Sequence, residues 1–500
     1  MTTIKRPAAP KQAAAPKATS NVKSKVAATV HDVADSVKSA VTGWIPGGTA
    51  RGIDAAKASK NPVRLAEALH GLAKDRLGSD SERVDRTKTL LGGMNAKQIA
   101  EVRAAYVDRY GCDPETQIRS GDIGQPLLRL DKATALEMVG AINAPQMKEN
   151  AQKLSGLLDK ANKGTLTQKD RNEYFATLPM VGLYDSPTRA NATGKDAMER
   201  TLLGRAWKGQ DKGVSFDAAL KTIEAAMPPA DLKITTPREK NIAVVVSSHG
   251  AQWQELMDWA KPMHDKGYHI QLFTPEGRPV AFQRDSLSVS TRTAEGYGGY
   301  GAPRSLDPAG RTGEIAKELL GNTASSAKFD PKKFGAVYLS GGLGFNEDVA
   351  IAKGETLPNG KNHTVLTANA NIGKMMDAAV GERLPIIALC HGPTLLAATN
   401  ITINGKTEKL NKGIETASLP PFEGYVGFTG RKEEQFTYDV NTHNSLEETG
   451  GQTHVLKDIA NMSRVVKANK DGVDIITGPG PQAAANLADA TIESLENRWH

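Results

Sequence analysis

The chain has 500 residues, which is too long for one ordinary domain and predicts two or three domains. With 39% hydrophobic and 24% charged residues, its composition is that of a globular protein. No apolar stretch is long enough to span a membrane, and the N-terminus lacks the apolar segment of a secretory signal peptide. A net charge of +7 is mildly basic for this length, so we do not expect nucleic-acid binding, which needs a focused basic patch.

The chain has two cysteines, Cys112 and Cys390, which are far apart in the sequence. Two such thiols build neither a disulfide framework nor a CxxC zinc site. They suit a reducing compartment, and we therefore expect a cytoplasmic protein.

Residues 1–60 are predicted to be a disordered basic arm. The first part is rich in Ala, Pro and Lys and has no acidic residue and no large aromatic. Such a segment buries too little apolar area to offset its loss of conformational entropy on ordering. A solvated tail is the favoured interpretation, and binding to nucleic acid or to an anionic surface is the alternative.

Residues 61–230 are predicted to form a helical domain, since apolar residues recur there at helical spacing. Within it, residues 85–139 resemble a single annexin-type repeat, on the evidence of Ile99, Val102 and Tyr106. The first turn of the repeat, GGMNAKQ, contains no acid, so the calcium and membrane binding of annexins does not carry over. The polar stretch at 182–238 is interpreted as a connecting region.

Residues 159–170, DKANKGTLTQKD, match some positions of an EF-hand loop. Ala161 and Lys163 occupy two positions that need oxygen ligands. The segment therefore predicts an ordinary helix–turn–helix rather than a calcium site.

Residues 241–497 change to alternating strands and helices. The apolar runs IAVVVSS, HIQLFTPEG, FGAVYLSGG and PIIALC are typical of buried parallel strands, and VVKA and DIITG are two further strand candidates. Helices are expected at 253–266 and 370–380, and a closing helix at 481–497. This alternation predicts an α/β fold with a mostly parallel sheet and helices on both faces.

The strongest chemical signal is the run PIIALCHGP, in which a buried strand stops at Cys390. A helix is expected to begin at once, which makes this a strand–turn–helix nucleophile elbow. The first N–H groups of that helix and its positive dipole end favour a thiolate. Gly392 permits the tight turn. An inert core cysteine is the alternative, but His, Gly and Pro neighbours at a turn make poor core packing.

The ALCHGP elbow resembles that of the ThiJ/PfpI superfamily, which includes glyoxalase III-type chaperones, deglycases and PfpI-type peptidases. The resemblance covers about residues 241–497 and implies a flavodoxin-like, doubly wound domain. It implies that Glu255, by its spacing from Gly250 and Ala251, approaches the sulfur of Cys390, and that His391 acts as a general acid and base.

The run YLSGGLGF resembles the oxyanion loop of the superfamily. Backbone N–H groups of Gly341 and Gly342, together with that of His391, would face a developing oxyanion. Leu343 stands where glyoxalase III-type members often have histidine, which leaves the subfamily open. No acidic third member of a triad is assigned, because the stretch that holds the candidates departs from the family spacing; they are Glu423, Glu433, Glu434 and Asp439.

The expected function is that of a cysteine-dependent enzyme acting on reactive carbonyls, of the glyoxalase III, D-lactate dehydratase or deglycase type. The resemblance implies no metal or organic cofactor, a small carbonyl substrate or a glycated protein as partner, and a homo-oligomer. A class I glutamine amidotransferase is disfavoured, because the later segments THNSLEE and THVLKD lack its His-x-Glu. Two further functions stay open, namely peptidase activity and a stress chaperone that uses Cys390 as a redox sensor.

We predict that Cys390 is the more reactive of the two thiols. The elbow favours its thiolate, whereas Asp113 beside Cys112 opposes ionisation of that thiol. Alkylation at neutral pH followed by peptide mapping measures both sites, and preferential labelling of Cys112 would contradict the elbow assignment.

Overall fold

A computed structural model gives the three-dimensional structure. The residues that it describes are 50–74, 79–110, 114–115, 118, 132–177, 202–210, 213–232, 234–248, 250–282, 311–342, 344–356, 362–420 and 442–499. Most of the predicted arm and the middle of the annexin-like repeat therefore lie outside the described residues. Within the described residues, no helix combines the length and the apolar character that crossing a membrane requires.

The described part of the N-terminal half is helical. Its helices α1 to α8 span, in chain order, Ala50–Ser59, Pro62–Lys74, Asp80–Leu91, Ala96–Tyr110, Lys132–Asn162, Gln168–Thr177, Leu202–Trp207 and Phe216–Ala226. Their apolar faces meet in one core, to which Leu65, Leu69 and Leu72 contribute from one side of α2. The ring of His70 stacks on that of Tyr110, with 3.7 Å between the ring centroids.

Two sequence boundaries need correction in this half. Helix α1 lies inside the predicted disordered arm, and its Ile53 is 1% exposed in the helical core. The predicted connecting region likewise contains α7 and α8, whose Trp207, Phe216 and Ile223 are buried in that core. In α8 the buried residues Phe216, Ala219, Leu220 and Ile223 recur at helical spacing, so this part of the stretch is an amphipathic helix rather than a connection.

The loop at 159–170 joins α5 to α6. Lys160 Nζ lies 2.5 Å from Asp170 Oδ1, while the other carboxylate oxygen accepts hydrogen bonds from the N–H and hydroxyl groups of Thr167. Hydrogen bonding to Lys160 lowers the pKa of Asp170 to about 2. Asp170 thus caps a helix and pairs with a lysine, as a helix–turn–helix requires.

The C-terminal half alternates strands and helices. Strands β1 to β11 are Asn241–Val245, His269–Thr274, Ala324–Ser325, Ala336–Leu339, Ala350–Thr356, Asn362–Ala368, Ile386–Leu389, Asn400–Ile403, Lys406–Lys409, Val466–Lys470 and Val473–Gly478. Helices α9 to α16 are Trp253–Asp265, Arg311–Gly321, Phe345–Asp348, Ala370–Gly381, Thr394–Ala398, Thr442–Glu448, Val455–Ala460 and Ala484–Trp499.

Seven strands form one sheet in the order β10-β11-β7-β4-β1-β2-β3. All neighbours pair in parallel except β10 and β11, which are antiparallel. The strands β5 with β6 and β8 with β9 form two separate hairpins. The predicted mostly parallel α/β sheet is confirmed.

Each face of the large sheet packs against its own group of helices. Along β1 the alternation sends Ile242 and Val244 into a core with α9, α10 and α16, and Ala243 and Val245 into a core with α12 and α13. Because both faces are covered, the strands are apolar on both sides, which explains their unbroken apolar runs.

The two halves contact each other through α6 and α10. Arg171 of α6 is 5% exposed and donates hydrogen bonds to the carbonyl of Thr323 (2.5 Å) and that of Pro228 (3.2 Å). Its guanidinium also lies over the ring of Phe175, 3.9 Å from the centroid. Burial lowers the pKa of Arg171 to about 10, so the group remains charged at neutral pH.

We predict that Arg171→Met destabilises the chain by about 1–3 kcal/mol, because it leaves the buried Thr323 carbonyl without its donor. Lys169→Met removes the same charge from an exposed position of the same helix and is expected to change stability by no more than about 0.5 kcal/mol. Urea unfolding followed by circular dichroism compares the two variants. Equal losses of stability would show that the contact between the two halves does not depend on Arg171.

Candidate active site

Cys390 follows the last residue of β7 and adopts a left-handed backbone conformation, with φ of 60°. A non-glycine residue in that region costs about 1–3 kcal/mol and persists only when its surroundings fix it. The N–H of Cys390 donates to Gly478 O (3.0 Å), and its carbonyl accepts from Leu419 N–H (3.1 Å). The predicted elbow turn is therefore present and is held from both sides.

Two glycines let neighbouring backbone approach this turn. A Cβ atom on Gly392 would collide with the carbonyl of Leu339, at the end of β4. A Cβ on Gly341 would lie 2.7 Å from the Leu389 carbonyl and 2.8 Å from Cys390 Cβ. Both distances are shorter than carbon atoms tolerate, so any larger side chain would push the turn away from β4.

His391 is 2% exposed, and its Nδ1 lies 3.5 Å from the Cys390 sulfur. Its carbonyl accepts hydrogen bonds from both the N–H (3.0 Å) and the hydroxyl (2.6 Å) of Thr394, which fix the residue at the turn. The sulfur and the imidazole are thus close enough to share a proton.

Glu255 lies in the first turn of α9 and is fully buried. A Cβ on Gly341 would lie 2.5 Å from Glu255 Oε2 and 2.8 Å from Cys390 Cβ. The carboxyl group and the cysteine therefore border the same small space beside Gly341. The structure thus brings together Cys390, His391 and Glu255, although Glu255 is remote from the other two in sequence.

Tyr338, on β4, was not identified from the sequence and lies beneath this group. Its hydroxyl donates to the Glu255 carbonyl (2.8 Å), and its ring stacks on Trp259, with 4.0 Å between the centroids. Burial raises the pKa of Tyr338 well above its ordinary value, and the nearby charges of Glu255 and Cys390 add to this effect. The phenol therefore stays a donor and holds the start of α9 in place.

The loop at Gly341 and Gly342 follows β4 and packs on the loop that follows β1. Gly342 has φ of 110°, and a Cβ there would lie 2.6 Å from the Gly250 carbonyl. Asp348, also missed by sequence reasoning, accepts hydrogen bonds from the N–H (2.8 Å) and hydroxyl (2.6 Å) of Ser248. These contacts hold the predicted oxyanion glycines beside Cys390.

The helix after the elbow was expected to favour a thiolate through its first N–H groups and its dipole, and the structure does not support that role. Helix α13 has only five residues, which is too short to accumulate a large dipole. The N–H groups of Gly392, Thr394 and Leu395 donate within the turn itself, to Leu389, His391 and Gly392 respectively. Nδ1 of His391 is therefore the better-placed group to stabilise a thiolate at Cys390.

Several sequence assignments fall outside the described residues: Cys112, Leu343, Glu423, Glu433, Glu434 and Asp439. Among the residues that are described, no group of three or more His, Cys, Asp or Glu side chains is arranged to hold a metal ion.

The fold and the site together define an α/β domain with a cysteine elbow at the carboxyl edge of a parallel sheet. Solved structures similar to the chain include the rapid encystment protein of Francisella tularensis (20% identical, TM-score 0.36) and glyoxalase III of Candida albicans (18% identical, TM-score 0.37). A ThiJ/PfpI domain protein of Brachyspira murdochii is 12% identical, with a TM-score of 0.30. These alignments cover 51%, 52% and 52% of this chain and 98%, 98% and 97% of the other chains.

These likenesses concern the fold of about half of the chain. No protein-family model matches the chain, and no curated protein is significantly similar to it in sequence.

We predict that Gly341→Ala lowers the free energy of unfolding by about 1–3 kcal/mol, because the new methyl group meets the Glu255 carboxyl and the Leu389 carbonyl. Gly373→Ala is the matched control, since its Cβ would meet only Ala368 Cβ at 3.6 Å. Within helix α12 it is expected to be neutral or stabilising by up to about 1 kcal/mol. Urea unfolding of both variants measures the difference, and a neutral Gly341→Ala would show that the space beside Cys390 is larger than the structure indicates.

Proposed function

We propose that the chain is a cysteine-dependent enzyme that converts small α-oxoaldehydes to hydroxy acids without a cofactor. The observation that carries this proposal is the strained Cys390 turn, which has a buried imidazole nitrogen 3.5 Å from the sulfur and a buried carboxyl group that borders the same space beside Gly341. Strained backbone at a nucleophile, next to two groups able to carry protons, is typical of catalytic sites.

The first step is addition of the Cys390 thiolate to the aldehyde carbon, after Nδ1 of His391 takes the thiol proton. The product is a hemithioacetal, whose oxygen faces the N–H groups assigned to Gly341 and Gly342. The next step moves the proton of the former aldehyde carbon to the adjacent carbon, with Glu255 or His391 as its carrier, and leaves a thioester of a 2-hydroxy acid. Water hydrolyses the thioester and restores the thiol, so that the net reaction adds one water to the oxoaldehyde.

The buried position of the site favours this chemistry over binding alone. Both Glu255 and His391 lie out of bulk water, where electrostatic interactions with a developing oxyanion are strong. A small oxoaldehyde has only a few heavy atoms and needs little room beside the sulfur. We therefore expect the enzyme to select its substrates by their small size and by their reactive carbonyl group.

The structure gives less support to an amidotransferase or a chaperone function. An amidotransferase needs a later histidine at the cysteine, whereas His443 Nε2 lies 3.2 Å from the Ser418 carbonyl and 3.4 Å from Asp458. A chaperone needs an exposed apolar patch. In the described part of the chain the exposed large hydrophobic residues are Val63, Val214 and Leu456, which belong to three different segments.

We predict that Glu255→Gln lowers kcat for methylglyoxal by about a hundredfold or more, because the amide keeps the shape of the carboxyl group but carries no proton between carbons. Alkylation of Cys390 by iodoacetamide is expected to persist in this variant, since the elbow is unchanged. Loss of methylglyoxal, followed in the absence of glutathione, measures turnover, and Cys390→Ser is expected to abolish it.

Glu318→Gln is the matched control, because that glutamate side chain is 71% exposed on α10. It is expected to leave both turnover and alkylation unchanged. Full activity of Glu255→Gln would remove Glu255 from the mechanism and assign the proton transfer to His391.

A further inference from the structure

Two histidines of the described residues, His443 and His454, follow the elbow, and the proposed reaction uses neither. His443 lies near the start of α14 with a side chain that is 1% exposed, while 42% of the His454 side chain is exposed just before α15. Nε2 of His443 lies 3.4 Å from Asp458, and that of His454 lies 3.6 Å from Glu415. The two histidines thus make the same kind of pair, one buried and one at the surface.

The buried pair holds a short segment of backbone. Ser418 is fully buried, and its N–H donates to Asp458 Oδ2 (3.3 Å) while its carbonyl lies 3.2 Å from His443 Nε2. The Ser418 carbonyl accepts hydrogen bonds, and so does Asp458 Oδ2 once that carboxyl group is ionised, above a pH of about 6. Nε2 of His443 faces both oxygens, so it is the ring nitrogen that carries the proton. Burial lowers the pKa of His443, which keeps the ring neutral with this single N–H.

Charged groups around Asp458 complete the arrangement. Nη1 of Arg464 lies 3.0 Å from Asp458 Oδ1, and Nη2 of the same guanidinium lies 2.6 Å from Glu415. Burial raises the pKa of Asp458 to about 6, against the charges of Arg464 and His454, which lower it. Above that pH the carboxylate is ionised, accepts a hydrogen bond from the N–H of Ser418 and forms an ion pair with Arg464.

The segment held in this way touches the nucleophile directly. Leu419, the residue after Ser418, donates its N–H to the Cys390 carbonyl, and the N–H of Ala417 donates to Thr477 Oγ1 (2.8 Å). Thr477 precedes Gly478, whose carbonyl accepts the Cys390 N–H. The carbonyl of Cys390 is therefore hydrogen-bonded to this segment, and its N–H is hydrogen-bonded to β11. The segment is itself hydrogen-bonded to β11 through Thr477.

We infer that His443 and Asp458 are positioning residues, which hold Ser418 and Leu419 against the elbow and so keep Cys390 in its left-handed conformation. A strained residue relaxes when its surroundings stop fixing it. Without the His443 donor the Ser418 carbonyl has lost its partner, Leu419 is less firmly held, and the turn no longer keeps the sulfur beside His391. This inference rests on the proposed function, because it concerns the same thiol.

The pH dependence of Cys390 alkylation tests the inference on the full chain. The midpoint of the profile reports the thiol pKa, and unlike the rate at one pH it does not depend on how accessible the sulfur is. His443→Phe, which keeps a ring but no donor, is expected to raise the midpoint toward the ordinary thiol value of about 8.5. It is also expected to speed amide hydrogen exchange in a peptide covering 415–420 by about tenfold.

Two variants separate positioning from general destabilisation. His443→Gln carries an amide N–H at nearly the place of Nε2 and is expected to restore the wild-type midpoint and exchange. His454→Phe makes the same change at the exposed histidine and is expected to alter neither. Should His443→Phe fail to fold, His443→Asn replaces it, because the shorter amide does not reach the Ser418 carbonyl.

The inference is overturned if His443→Phe keeps the wild-type midpoint and exchange, if His443→Gln behaves like His443→Phe, or if His454→Phe has the same effect. Failure of the chain to consume methylglyoxal would contradict the proposed function alone, since neither measurement needs a substrate. A wild-type midpoint already at about 8.5 contradicts the proposed thiolate, and hydrogen exchange then decides whether His443 holds the segment.

Discussion

The left-handed conformation of Cys390 is the constraint on which the rest of the site depends. It turns the chain sharply at the end of β7 and leaves the thiol at the carboxyl edge of the sheet. The turn fits only because Gly341 and Gly392 have no side chains to collide with their neighbours. The register between β4 and β7 is a second requirement. Leu339 pairs with Ala388, which places the loop after β4 beside Cys390, and a shift of one residue would separate them.

Much of this site follows from the sequence, because parallel strands place their following loops at one edge. The strands β7, β4 and β1 are neighbours, so Cys390, Gly341 and Glu255 come together even though the chain separates them widely. The apolar runs that define those strands are visible in the sequence. The donors at the start of α13 were misjudged, because the tight turn consumes the N–H groups that an open helix start would have presented.

The remaining features depend on contacts between remote segments, which periodicity does not reveal. Tyr338 is a polar group in an apolar strand, so a hydrogen-bond partner was required, but only the fold shows that the partner is the Glu255 carbonyl. His443 and Asp458 lie in short helices without a clear pattern, and only the fold brings them together beside Ser418. The helices α7 and α8 lie inside the range predicted to be helical, but the fold alone shows that they pack into the same core as the earlier helices.

The helical half is connected to the site through the loop that follows β2. Glu224, at the end of α8, pairs with Arg278 in the loop that follows β2 (3.0 Å). The same loop continues to Ala281, whose carbonyl accepts the N–H of Ala251 and whose own N–H donates to the carbonyl of Ser248. Ala251 lies just before the start of α9, on which Glu255 lies. Because the loop after β2 is bonded on one side to the helical half and on the other to the residues before Glu255, the position of that carboxyl group depends on contacts from both halves of the chain.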